Sequence, residues 1–271
     1  MKLVFENNGV CKYPWDFRVA PFKIIDNLYY VGNRDVSCYL IDSGEGLILH
    51  DTGFPQTVYL LLESIRELGF NPKDIQYIIH SHGHYDHFGG TRALVELIGG
   101  ETFFGKEDIH ILTSKKDLTW ATEYGVKFYE TFNVDHPLNG GDMISLGNIN
   151  IRCAAIPGHT PGAISYFFDM ESGGKTYRVG THGGPGLNTL SDEYLDRNSL
   201  SYNKRKVYLE SLQKLKKEKV DIFISIHPDQ NEMLEKAETA KTGQDNPFIN
   251  AGDWGRTLNF LEKSAIELFD R

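Results

Sequence analysis

The hydrophobic positions of this chain form short apolar runs that alternate with stretches of helical periodicity. Three runs near the start, separated by glycine-containing turns, predict an antiparallel meander of strands at Phe22–Val31, Asp35–Ile41 and Gly46–His50. The apolar residues after Pro55 then recur at the spacing of one helix face until Gly69. This pattern predicts a helix that packs on the outside of the sheet.

Shorter elements follow this helix. Ile75–Ile79 is an apolar run that predicts a buried strand, and Thr91–Ile98 has the start signal and spacing of a helix. A short strand is predicted at Glu101–Phe104 and a brief helix at Lys106–Leu112. The aromatic-rich stretch Ser114–Thr131 is ambiguous, because it fits a mobile wall beside a site and an ordinary surface helix about equally well.

The second part of the chain repeats this order of elements. Strands are predicted at Met143–Leu146, Ile149–Ile156, Ala163–Asp169, Thr176–Val179 and Val220–Ile226. Helices are predicted at Asn203–Lys217 and Trp254–Phe269, with a short one inside Asp229–Asn250. We therefore expect one α+β domain over residues 1–271, made of two similar halves, about 1–135 and 136–271, with helices outside.

Composition narrows the possible partners. A chain of 271 residues, 40% of them hydrophobic, can bury a sizeable core. Its net charge of -9 disfavours nucleic acid and anionic membranes. No signal peptide or long apolar span is visible, so the expected location is the cytoplasm, or the periplasm or exterior if a leader has been removed. Cys11, Cys38 and Cys153 lack a CxxC pattern, which predicts reduced thiols in the core.

The densest chemistry lies in Ser81–His87, directly after a predicted strand. In an extended loop, side chains two residues apart point the same way, so His82 and His84 can bind one cation together. Asp86 and His87 fall beyond the turn and can face a second cation. Imidazole and carboxylate ligands indicate zinc first, with iron or manganese as rivals.

Two further histidines follow predicted strands in the same manner. His159 lies in the tight turn Pro157–Gly162, and His227 ends a strand before Pro228. The candidate ligands divide into His82, His84 and His159 for one metal ion and Asp86, His87 and His227 for another. Two such ions about 3.5–4 Å apart can share a hydroxide. The remaining histidines near ordinary elements are interpreted as structural or surface residues: His50, His80, His110 and His136.

Two other polar residues lie near the predicted site. His182 lies in the glycine-rich stretch Gly180–Gly186. The sequence fits a residue that lines the site and an ordinary loop residue equally well, and it fits a metal ligand poorly. Asp51 ends a strand at the same rim, where its carboxylate would orient a metal-bound imidazole or cap a local turn.

These residues resemble the metallo-β-lactamase superfamily over nearly the whole chain. The resemblance is carried by Asp51-Thr52-Gly53, Ser81–His87, Pro157–Gly162 and His227. It implies a four-layer αββα sandwich with a dinuclear zinc site, two Zn²⁺ ions, in the cleft between the sheets.

One departure favours a particular branch of that family. Many of its hydrolases, including lactonases and phosphodiesterases, carry an aspartate that bridges both metals after the strand beyond the third histidine. This chain has Val179–Gly183 there, without an acid. Subclass B3 metallo-β-lactamases also lack the acid, and by this resemblance Thr181 matches their small hydroxyl residue at the substrate side. Other stretches similar to that subclass are Phe22–Asp51, Leu68–Pro72, Pro185-Gly186, His227-Pro228 and Asn246–Phe248.

The resulting hypothesis is a dinuclear zinc hydrolase that opens the amide of a small β-lactam by attack of metal-bound hydroxide. Asp86 is its candidate catalytic residue, because it would orient the nucleophile and relay its proton. The alternative keeps the metals and changes the substrate to a lactone, thioester or phosphodiester. A third possibility is a metal- or ligand-binding protein on an inherited hydrolase fold. The sequence does not indicate the oligomeric state.

Overall fold

A computed structural model of the protein describes residues 9–243 and 245–270. The predicted halves also include residues 1–8, 244 and 271, which lie outside the described residues. Within the described part, all three cysteines are free thiols. None of the described helices combines the length and the apolar character that crossing a bilayer requires.

The first sheet of the described chain has seven strands. In spatial order these are β1 (Phe22–Ile25), β2 (Leu28–Tyr30), β3 (Tyr39–Asp42), β4 (Leu47–His50), β5 (Ile75–Ile79), β6 (Glu101–Gly105) and β7 (His136–Leu138). The pairs from β1 to β4 are antiparallel, and those from β4 to β7 are parallel. The predicted meander is therefore confirmed, and crossover connections continue the sheet beyond it.

The second sheet repeats this plan with five strands in the described chain. They are β8 (Met143–Leu146), β9 (Ile149–Ala155), β10 (Ile164–Ser172), β11 (Lys175–Gly180) and β12 (Ile222–Phe223), in the spatial order β12-β11-β10-β9-β8. Strands β8 to β11 form an antiparallel meander, and β12 pairs parallel with β11. Each half thus ends its meander with a helical crossover to a parallel strand.

The helices lie outside or at the ends of the sheets. They are α1 (Gly9–Lys12), α2 (Val58–Glu67), α3 (Tyr85–Phe88), α4 (Thr91–Ile98), α5 (Ile109–Thr113), α6 (Asp192–Asn198), α7 (Asn203–Leu215), α8 (Met233–Ala240) and α9 (Ala251–Phe269). The last helix starts where the Asn250 side chain accepts a hydrogen bond from Gly252 N. Its buried apolar residues recur every three or four positions: Trp254, Leu258, Leu261 and Ala265.

Three hydrophobic clusters separate four layers. The central cluster joins the inner faces of the two sheets, through residues such as Ile48 and Ile151. A second cluster packs α2 and α4 against the outer face of the first sheet, and a third packs α7 and α9 against the second sheet. Because central strands are covered on both faces, they are buried along their whole length, as β4 is. The αββα sandwich is confirmed.

Two predicted strands differ from the structure for identifiable reasons. The run Phe22–Val31 is not one strand, because Asp26, at φ +37°, and Asn27 form a hairpin turn between β1 and β2. The run Val220–Ile226 is a strand only at β12. Beyond it, Ile226 O accepts a hydrogen bond from Ser37 N in the other half, so this backbone leaves the second sheet.

The boundary between the halves also has a structural marker. The pattern predicted no strand between Glu101–Phe104 and Met143–Leu146, but β7 lies there and pairs with β6 in the first sheet. The first sheet therefore extends to Leu138, a few residues past the predicted boundary at 135.

We expect the core between the sheets to dominate stability. Ile151 is fully buried there, whereas Met143 on the neighbouring strand is 56% exposed. Because truncation of a buried isoleucine loses apolar contacts and leaves a cavity, Ile151→Ala should lower the free energy of unfolding by about 2–5 kcal/mol. Urea unfolding measures it, with Met143→Ala as the control, expected to change stability by less than about 0.5 kcal/mol. Equal effects of the two substitutions would contradict the assignment of this core.

Candidate metal centre

The loop after β5 places four polar side chains at one end of the sandwich. His84, the residue that precedes α3, has extended backbone, and His82 lies two residues before it in the loop. Asp86 and His87 lie in the single turn of α3, so the start of that helix turns them away from the first pair. All four side chains are buried, although they are polar. A loop at the carboxyl end of a parallel strand is where such folds place binding groups.

His159 reaches this point from the loop between β9 and β10. Its Nδ1 donates a hydrogen bond to Gly186 O at 2.8 Å, and Thr189 Oγ1 donates to its carbonyl oxygen at 2.7 Å. A neutral imidazole has one N–H, so this contact leaves the lone pair of Nε2 free to bind. His159 Nε2 lies 3.0 Å from His84 Nδ1.

His227 arrives in a similar way from the segment after β12. Its Nδ1 donates to Asp35 O, in the other half of the molecule, at 2.8 Å. Its Nε2 therefore faces the cluster, 3.5 Å from Asp86 Oδ2 and 3.3 Å from His87 Nε2. The His227 side chain is 25% exposed, so the second group opens to solvent on this side.

The six side chains thus form the two groups that the spacing suggested. Within each group the ligand atoms lie within 4.8 Å of one another: His82, His84 and His159 in the first, and Asp86, His87 and His227 in the second. The groups are adjacent, because the ring centroids of His82 and His87 are 4.3 Å apart. Among the described residues, the two groups share no side chain.

Protonation in the first group suits a cation. Burial lowers the pKa of His82 and His159 well below the usual range, and it lowers the pKa of His84 to about 3. The three imidazoles are therefore neutral at physiological pH and point lone pairs at a common centre. That is the donor set of a three-histidine zinc site.

The second group is more polar. Burial opposes ionisation of Asp86, but His87 and His227 hold the pKa of this carboxyl well below its usual range. Burial would likewise lower the pKa of His87, but the Asp86 and Asp51 carboxylates raise it to about 10. A positive charge is therefore stabilised between these carboxylates, and a divalent cation held by Asp86, His87 and His227 would supply it. The donor set of this structure fits two divalent cations.

Asp51 holds this arrangement from behind. Its carboxylate accepts hydrogen bonds from Ser81 N and Ser81 Oγ, both at 2.7 Å, and from His87 Nδ1 at 2.8 Å. It adopts φ +59°, a conformation that non-glycine residues rarely populate and that recurs at functional sites. Asp51 therefore orients the His87 ring, as one of its two sequence interpretations proposed.

Thr181 and His182 lie elsewhere. Neither lines the cavity in front of the ligands. Thr181 Oγ1 accepts a hydrogen bond from Tyr166 N at 3.0 Å, which holds it in the second sheet. His182 is buried, its Nδ1 accepts from Gly184 N, and burial lowers its pKa to about 3. The geometry does not support the prediction that they face substrate. The Thr181 side chain is bonded to the backbone of the second sheet, and the His182 side chain is bonded to the backbone of its own loop.

The other histidines belong to neither group among the described residues. His80 Nδ1 donates to Phe103 O, and His50 stacks on Tyr39 and meets the Tyr166 ring edge to face. His110 and His136 are surface residues, the latter paired with a glutamate.

A cavity of about 520 Å³ opens in front of the two groups. Trp120 and Tyr124 form part of its wall, so the ambiguous segment 114–131 borders the site and contains only a short 3-10 helix, Ala121–Tyr124. Tyr124 Oη donates to Asp86 Oδ2 at 3.4 Å. Leu187 and Ile226 add apolar surface.

Sequence reasoning missed two residues near the ligands. Arg34 lines the cavity and is exposed. Asp108 is fully buried behind the loops of both His84 and His159. Neither belongs to a motif, and no local pattern marks Asp108, which directly follows Lys106 and Glu107.

Comparison with known proteins gives a consistent result. Residues 31–227 match the metallo-beta-lactamase superfamily. The chain is 26% identical to an N-acyl homoserine lactonase of Bacillus cereus over 165 residues, which are 52% of this chain and 61% of the lactonase. The chain thus spans about three fifths of that relative's length.

Solved structures match over more of the chain. The native FEZ-1 metallo-β-lactamase of Legionella gormanii is similar with a TM-score of 0.85 and 26% identity, over 93% of this chain and 95% of that one. The metallo-β-lactamase GOB-18 of Elizabethkingia meningoseptica has a TM-score of 0.82 and 28% identity, over 95% of each chain.

Metal analysis tests the two groups. Because His84 belongs to the first group, His84→Ala should retain no more than one of the two cations that the purified protein binds after dialysis, as measured by elemental analysis. The matched control is His182→Ala, which removes another buried histidine outside both groups and should leave two cations bound. Loss of a cation from the control, or two cations retained by His84→Ala, would refute the assignment.

Proposed function

The chain belongs to the metallo-β-lactamase superfamily, and on this basis we propose that it is a dinuclear zinc hydrolase that opens the amide ring of β-lactams. One observation carries the choice of substrate: the likeness to β-lactamases extends over 93–95% of this chain at 26–28% identity. The likeness to a lactonase covers 52% of it.

The donor set supports zinc. Three neutral imidazoles in the first group suit a borderline-soft cation, and two imidazoles with one carboxylate suit a second. Iron and manganese remain the rivals, because they accept the same ligand types. When bound, such ions polarise a carbonyl group and make a water molecule more acidic.

The chain's own residues have definite roles in the proposed reaction. The Asp86 carboxylate is ionised and lines the cavity, so it would accept a hydrogen bond from the attacking water molecule. The water oxygen bonds to the carbonyl carbon, the C–N bond breaks, and the amide nitrogen gains the proton that the water loses. Asp86 is the group positioned to relay that proton, since it lies in the cavity wall. The Tyr124 hydroxyl contacts Asp86 and limits its rotation.

A lactone is the second candidate. The curated relative in Bacillus cereus is a lactonase, and the cavity volume of about 520 Å³ admits either kind of substrate. Against it, the stretch Val179–Gly183 contains no acid that could bridge two metals. The described ligand groups also share no side chain.

Hydrolysis assays decide between these substrates. The zinc-loaded protein should open a penicillin, a cephalosporin or a carbapenem with kcat/KM of about 10⁴ M⁻¹s⁻¹ or more, and an N-acyl homoserine lactone at least about 100-fold less efficiently. His84→Ala serves as the inactive control. Efficient opening of the lactone without β-lactam turnover would transfer the proposal to the second candidate.

Arg34 is proposed to bind the substrate carboxylate that β-lactam antibiotics carry. Among the described residues lining the cavity, it alone has a permanent positive charge. Because the exposed side chain is screened by water, we expect Arg34→Ala to raise KM about 5- to 10-fold with little change in kcat. Arg34→Lys should recover part of this loss.

Steady-state kinetics on one penicillin measures the Arg34 effect. Lys241→Ala is the control, because Lys241 lies with Arg34 on a neighbouring surface cavity but not on this one. An unchanged KM for Arg34→Ala, or an equal change for the control, would remove Arg34 from substrate binding.

A further inference from the structure

We propose that Asp108 is a positioning residue for the first ligand group, because it fastens the loop of His82 and His84 to the loop of His159. The inference rests on the proposed dinuclear metal site, and it is independent of the substrate. Asp108 itself is fully buried and is not among the residues that line the cavity.

The carboxylate of Asp108 accepts three hydrogen bonds from the two loops. Oδ2 accepts from Gly83 N at 2.8 Å and from Thr160 Oγ1 at 2.6 Å. Oδ1 accepts from Gly162 N at 2.6 Å. Gly83 lies between His82 and His84, and Thr160 follows His159 directly. One buried carboxylate therefore fixes the backbone on both sides of the first group.

The surrounding backbone leaves space for this carboxylate and for little else. A Cβ atom added at Gly83 would lie 3.2 Å from Asp108 Oδ2, and one added at Gly162 would lie 2.8 Å from Asp108 Cγ. The two loops therefore approach the acid directly through glycine backbone. Such contacts hold a loop more closely than contacts through a long side chain, because fewer torsions intervene.

The chemistry requires a carboxylate at this position. All three partners are donors, and two acceptor oxygens receive them. An asparagine of the same size would offer one oxygen and would turn an NH₂ group toward a donor of one loop. Burial raises the pKa of Asp108, whereas the three donors favour its charged form.

The second group is held by other contacts. His87 is fastened by the Asp51 carboxylate, and His227 by the backbone oxygen of Asp35. Asp108 makes none of these contacts. A change at Asp108 should therefore weaken one cation site of two, which a general loss of stability would not do.

The test is a zinc-binding titration of the metal-free protein and its variants. Asp108→Asn and Asp108→Ala should bind one of two zinc ions about 10- to 100-fold more weakly, with the other unchanged. Thr160→Val, which removes one donor and keeps the side-chain shape, should weaken the same ion to a smaller extent. Asp253→Asn is the matched control, because Asp253 is equally buried but pairs with Lys236 and Arg256 far from the ligands.

Double variants identify the affected ion. Added to His159→Ala, Asp108→Asn should cause no further loss of zinc, because the first group is already broken. Added to His227→Ala, it should leave neither ion tightly bound. The visible absorption of the cobalt-substituted protein provides a second measurement. Its bands depend on the ligands of the bound ion, so the bands of the first group should weaken in Asp108→Asn.

Different outcomes would overturn different claims. If the wild type binds two zinc ions and both Asp108→Asn and Thr160→Val bind them equally well, Asp108 does not position the first group. The same conclusion follows if Asp108→Asn and Asp253→Asn lower the affinities for both zinc ions by the same factor. A wild type that binds no zinc would overturn the proposed function, and this inference with it.

Discussion

The site depends on one constraint: in three of its ligand imidazoles, the nitrogen that faces away from the cluster is held by an acceptor. His159 and His227 satisfy it through backbone carbonyl oxygens, and His87 satisfies it through the Asp51 carboxylate. Each contact selects the tautomer in which the lone pair faces the cluster and also fixes the plane of the ring. These acceptors therefore direct the lone pairs of three rings toward the cluster.

This constraint explains why the two halves must meet as they do. The acceptor for His227 belongs to the first half, and the hydroxyl of Tyr166 in the second half donates to His80 O, next to the ligand loop. The apolar core between the sheets sets the distance between them. These few hydrogen bonds at the edge of the core fix the positions of the ligand loops of the two halves relative to each other. The non-directional hydrophobic contacts and the directional hydrogen bonds thus have separate tasks.

The chemistry of the cleft follows from burial. Desolvation keeps the first group neutral, whereas two carboxylates around His87 favour positive charge in the second. The cavity therefore contains a group of three neutral imidazoles beside a group of two imidazoles and a carboxylate. This difference suits two ions with different roles in a reaction. Its outer wall comes from Trp120 and Tyr124, and they belong to an irregular segment that has no periodicity.

The amino-acid sequence predicted two similar halves with outer helices from its apolar runs, and it predicted the grouping of six ligands from polar residues placed directly after strands. The αββα sandwich itself was implied by the resemblance to the metallo-β-lactamase superfamily. The turn at Asp26, the shortness of β12 and the strand β7 were not predicted. Strand β7 forms because β6 is beside it, and β12 is short because the backbone beyond it bonds to Ser37 in the other half. Both outcomes depend on residues that are distant in the sequence.

Tertiary structure alone decided what surrounds the ligands. The resemblance placed Thr181 and the sequence placed His182 near the predicted site, yet neither lines the cavity. Arg34 and Asp108 carry no local signal, yet one reaches the cavity and the other joins both ligand loops. Side-chain direction and long-range contacts depend on how distant segments pack, and no local pattern contains that information.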